Sequence, residues 1–78
     1  MITSAQIRAA RAMLNWSRDE LSAHSGVGIS ALMRLESAKG VPAGNIKTFE
    51  SVQKTFEKAG IEFIGTPEDR PGIRFKTP

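Results

Sequence analysis

A mainly α domain of four to five short helices, closed by a C-terminal pair of short β-strands, is the fold this sequence predicts. Three observations predict it. Apolar residues recur at helical spacing from Ile7 to Phe56. Capping residues and glycines cut that stretch into short pieces. The last residues change to the two-residue alternation of strands.

The first helix begins at Thr3 or Ser4, because Thr3 followed three residues later by Gln6 has the form of a capping box. Ile7, Ala10 and Leu14 form its buried stripe, Ala5, Ala9 and Ala12 favour helix, and Arg8 is left outside. Asn15 and Trp16 interrupt the pattern, and Ser17 with Glu20 makes a second capping box that opens a short helix over residues 18–24. Gly26 then supplies a left-handed turn. A third helix runs over residues 29–37 with Leu32 and Leu35 inward and Ile29, Ser30, Met33 and Arg34 largely outward. Residues 38–44 are too rich in Gly and Pro to continue it and read as a loop. A fourth helix over residues 45–58 is expected to bury Ile46, Phe49, Val52 and Phe56 and to stop at Gly60. Residues 61–64 and 73–76 alternate as strands. The linker over residues 65–72 looks too long for a tight two-residue hairpin, so the strands are expected to pair through a wide loop or with a second copy of the chain. Residues 1–60 thus form the main domain, and residues 61–78 are a β extension of it.

At 78 residues the chain suits one small core. Hydrophobic residues at 40% and charged residues at 24% suit a globular protein rather than a disordered one. With no cysteine there is no disulfide and no thiolate metal site, so such a core holds by packing or with a partner chain. The N-terminal segment has no long apolar run and carries arginines within its helical pattern, which excludes a secretory signal and a membrane span and leads us to expect a cytoplasmic protein. The net charge of +3 is unevenly placed: residues 1–47 hold six basic and three acidic groups, residues 48–78 five of each. The basic excess sits in the helical part, where it suits a polyanionic partner.

An enzyme would have to work with His24 alone and no cysteine. Gly26-Val27-Gly28 is too short for a dinucleotide fingerprint, and the pairs Asp19-Glu20 and Glu68-Asp69 are adjacent and splay apart. Catalysis is therefore not expected, nor is a metal, a cofactor or a small-molecule ligand. His24 reads as solvent-facing and Trp16 as a core residue wedged between helices.

The most informative window surrounds the second turn. Two steeply crossing helices need a small residue at their contact, a glycine in the turn and apolar inner faces; Ser22, Gly26, and Leu21, Val27, Leu32 and Leu35 supply them. With these residues, SRDELSAHSGVGISALMRLESAKGVP resembles the helix-turn-helix core of the phage-repressor-like (Cro/cI, or XRE) family of transcriptional regulators, the motif falling on residues 18–36 and the resemblance covering residues 4–58. It implies a lambda-repressor-like domain that binds double-stranded DNA. Carried over by position, the resemblance gives Arg18 a phosphate contact, places Gly28, Ile29, Ser30, Met33 and Arg34 toward base edges in the major groove, and adds a phosphate contact from Lys39. It also implies a structural salt bridge between Arg11 and Glu36. The chain departs from the family at Ser22, where alanine is usual, at Gly28, where a Ser or Thr cap is usual, and at Ile29, where a polar reader is typical.

A single motif of this kind reads few base pairs, so a homodimer on a palindromic operator is expected. Phe63, Ile64, Ile73 and Phe75 are the candidates to bury apolar area between chains or to complete the core. RNA polymerase would be a further partner only of an activating regulator. The alternative is a protein-interaction module, an antitoxin or antiactivator, that uses Ile29 and Met33 as an apolar patch.

Overall fold

Six elements follow one another in the computed structural model, which describes residues 2–42 and 44–76: α1 (Ser4–Met13), α2 (Arg18–Ser25), α3 (Ile29–Ser37), α4 (Ile46–Lys58), β1 (Ile61–Thr66) and β2 (Asp69–Phe75). Ala43 of the predicted loop and residues 77–78 of the predicted extension lie outside the described residues.

Both capping boxes form. The Thr3 hydroxyl accepts from the Gln6 amide at 3.1 Å, and the Thr3 amide donates to Gln6 Oε1 at 2.8 Å. Ser17 and Glu20 repeat the exchange at 3.0 and 2.9 Å. These reciprocal bonds satisfy amides that a helix start leaves without intrahelical partners.

The interruption at Asn15 and Trp16 is a helix stop. Asn15 is left-handed at φ 56°, its amide donates to Ala12 O at 3.1 Å, and the Trp16 amide donates to Arg11 O at 3.0 Å. This double bond is a Schellman motif. It turns the chain directly into the Ser17 cap.

Gly26, at φ 74°, ends α2 in the left-handed conformation, where an added Cβ would meet no neighbour. The requirement for glycine there is purely conformational. Ser22 Oγ donates to Val27 O at 2.6 Å, so this hydroxyl ties α2 to the residue after Gly26.

Along α4, Phe49, Val52 and Phe56 face the core as predicted, but Ile46 does not: it is 63% exposed. Three residues advance a helix by about 300°, so Ile46 sits roughly 60° beyond Phe49 on the side away from Val52. The stripe has already rotated off the core at the first turn.

The wide loop predicted for the tail is also corrected. β1 and β2 pair antiparallel within the chain, Ile61 opposite Phe75, Phe63 opposite Ile73 and Thr66 opposite Asp69, leaving only Pro67 and Glu68 as the turn. The surplus residue is absorbed by a register shift between Ile64 and Thr66, where Gly65 faces Arg70 and Pro71. Gly65 is at φ 75°, and a Cβ there would lie 2.2 Å from Arg70 O. The two strands approach so closely at the bulge that only glycine fits, and Pro71 falls where a strand can do without an amide proton.

The core joins all these elements: Ile2, Ile7, Ala10, Leu21, Val27, Leu32, Leu35, Phe49, Val52, Phe56 and Ile61 are buried, with Leu14, Trp16, Phe63 and Ile73 packed against them. The hairpin is pinned to α1 by Gln6, whose side-chain amide donates to Ile64 O at 3.1 Å and to Gly72 O at 2.8 Å. No helix among the described residues is long and apolar enough to cross a membrane.

Candidate functional site

The three residues Gly26, Val27 and Gly28 join α2 to α3, and α3 starts from Gly28 without a side-chain cap. Leu32, Leu35 and Glu36 turn inward, which leaves Ser30, Met33, Arg34 and Ser37 as one exposed stripe along the opposite side of α3. Met33 is 51% exposed, a large apolar side chain facing outward. Ile29 lies at the edge of this stripe, half-buried, so it contributes less open surface than the sequence suggested. Ser37 belongs to the face and was missed, because the motif places readers at the start of the helix and Ser37 closes it.

Arg34 makes no side-chain hydrogen bond or ion pair with the described residues, and neither does the exposed Lys39 beyond the helix end. Both cations are therefore available to a partner.

Arg18 is placed differently. Glu36, 3% exposed, accepts from Arg11 Nε at 3.1 Å and Nη2 at 3.0 Å, so the two form a bidentate ion pair. The Glu36 carboxylate also accepts from Arg18 Nη2 at 3.3 Å. Arg18 Nε is buried and has no hydrogen-bond partner among the described residues. Even so, the side chain keeps 37% of its surface open. Arg8, which the sequence left on the outside, is exposed yet donates to the carbonyl of Glu36 at the end of α3.

Three arginines from α1 and α2 thus converge on Glu36, and two of them share its carboxylate. Two guanidinium charges against one carboxylate leave the cluster with a positive excess.

The hairpin residues divide between two roles. Phe63 and Ile73 pack on the chain's own core, whereas Ile64 is half-buried over Gly72 and Phe75 is 42% exposed. On the face that carries Ile64, Glu62 and Arg74 form a cross-strand pair at 3.2 Å. Among the described residues no cluster of three or more His, Asp or Glu side chains is placed to hold a metal ion.

Compared with the models of known protein families and with curated proteins, the chain gives no match.

Proposed function

We propose that the protein is a sequence-specific, double-stranded-DNA-binding transcriptional regulator in which α2 and α3 act as a helix-turn-helix, in keeping with the resemblance to the phage-repressor-like family. The observation that carries this reading is the stripe Ser30, Met33, Arg34 and Ser37 on α3, where Arg34 has no side-chain partner among the described residues. A helix presenting one free guanidinium among small and apolar side chains suits the major groove, where Arg takes guanine O6 and N7 and a thioether packs on thymine methyls. Lys39 and the outer edge of Arg18 would grip flanking phosphates, while Arg11 and Glu36 hold α1 to α3. The protein would act in the cytoplasm as a homodimer on a palindromic operator and regulate its own gene through its concentration.

The test is binding of the full chain and of Arg34→Ala to DNA fragments, including the region upstream of its own gene, at two salt concentrations. Tight binding to a discrete palindrome that weakens steeply with salt, and a loss of about 1–3 kcal/mol with Arg34→Ala, are expected. Binding that is weak, indifferent to sequence and unchanged by Arg34→Ala would overturn the reading.

One observation favours a second reading. Met33 exposes half its surface on the same stripe. An antitoxin or antiactivator would use it as an apolar contact for a protein, with weaker salt dependence.

A further inference from the structure

On the flank formed by the end of α2 and the C-terminal half of α4 lies an open cleft of about 520 Å³. Small-molecule sites commonly fall between about 300 and 1,000 Å³. The chemistry of its lining is one-sided. Ser25, Ser51 and Thr55 line it, but each hydroxyl proton is already given to a carbonyl: Ser25 Oγ to Leu21 O at 2.7 Å, Ser51 Oγ to Ser25 O at 3.1 Å, and Thr55 Oγ1 to Ser51 O at 2.8 Å. The second of these bonds ties α4 to α2 along the cleft. The charged groups left without a partner among the described residues are donors, the exposed ammonium groups of Lys54 and Lys58. No acidic side chain is among the residues that line the cleft, and Glu50 and Glu57 lie on the far side of Lys54, around a separate shallow hollow.

The cleft has an aromatic wall as well as a cationic one. His24 stacks on Trp16 with ring centroids 4.3 Å apart and planes at 12°, and Trp16 is backed in turn by Phe56 at 6.0 Å and 23°. His24, exposed although stacked, is the outer plate of this three-ring pile. That placement modifies the sequence expectation of a histidine facing only solvent. An aromatic plate whose inner face is backed by tryptophan is a stacking surface for a planar ring. Lys54 and Lys58 are four residues apart and so project from one side of α4. Two ammonium groups match the charge of a phosphate monoester, about −1.5 to −2 near neutral pH, better than the single charge of a carboxylate.

We propose that this cleft is a binding site for a planar heteroaromatic ring carrying a phosphate monoester, of which a nucleoside monophosphate is the simplest form. The ring lies on His24, and the phosphate is held by Lys54 and Lys58. The site is independent of the stripe on α3, and its test does not use DNA.

Trp16 is the only tryptophan and lines the cleft, so its emission reports occupancy directly. The experiment titrates the full chain with adenosine 5′-monophosphate and cytidine 5′-monophosphate, and with adenosine and inorganic phosphate as halves of the ligand. Saturable change with the monophosphates is expected at a dissociation constant on the order of 0.1–1 mM, weaker by about tenfold for either half alone and for the double variant Lys54→Gln with Lys58→Gln. Both lysines are exposed, and circular dichroism of the double variant checks that its fold is retained. His24→Ala should weaken the monophosphates and leave inorganic phosphate unchanged. Three results would overturn the proposal: no saturable response to either monophosphate up to about 10 mM, monophosphate binding that is unweakened by loss of both lysines, or inorganic phosphate binding as tightly as the nucleotides.

Discussion

Glu36 takes its importance from the number of charges it serves. Its carboxylate is buried beneath Arg11 and Arg18, and its carbonyl receives Arg8, so one residue at the end of α3 fixes side chains from two other helices. Removing its charge would leave two guanidinium groups facing each other with no anion between them. Breaking a fully buried pair costs about 3–5 kcal/mol, and the open edges of both arginines reduce this, so Glu36→Gln is expected to lower stability by about 2–3 kcal/mol. Urea unfolding of the variant beside the parent checks the figure, and a loss below about 0.5 kcal/mol would show the cluster to be only a surface arrangement. The resemblance pointed to the Arg11 half of this cluster. The Arg18 half was not legible, because a residue at a helix start reads equally well as a phosphate contact until the folded chain shows which acid lies within reach.

Local chemistry explains why most elements could be read in advance. Thr3 with Gln6, and Ser17 with Glu20, act over three residues, so nothing distant could override them. Ile46 and the hairpin were misread for the opposite reason. Whether Ile46 is covered depends on where the core ends along α4, and the two-residue turn at Pro67 and Glu68 depends on a bulge that sequence alternation disguises as a long polar loop. The weakest start among the helices is that of α3, where Gly28 has cap geometry at φ −65° and ψ 154° but no side chain to accept a bond. An added Cβ would meet nothing within 4 Å. Gly28→Ser should therefore stabilise the protein by about 0.5 kcal/mol, through a new cap and a less flexible unfolded chain. A raised urea midpoint with unchanged slope is the expected result. A lowered midpoint would show that this start needs glycine for another reason. If the same variant also loses DNA binding, the backbone at Gly28 approaches the partner too closely for a side chain.

At the scale of the whole molecule, the hairpin completes the core of the helices. Ile61 is 2% exposed within the helical core, and Phe63 and Ile73 pack against it. A chain ending at Gly60 is expected to lose cooperative unfolding and show a broad, shallow thermal transition by circular dichroism, since it discards one buried isoleucine, most of a phenylalanine and their covering strand. A sharp transition near the parent midpoint would mean that the helices form a complete core alone. Deleting the hairpin is thus a poor probe of self-association, and the exposed Phe75 is the better position to alter. The clasp of Gln6 on Ile64 and Gly72 has a consequence in time as well as in space. It joins residues 58 and 66 positions apart, a closure whose entropy must be met before any contact rewards it. The capped helices need no such closure. On that ground the meeting of the first helix with the final strands is expected to come late in folding, so Gln6→Ala should speed unfolding and leave the folding rate nearly unchanged in stopped-flow kinetics.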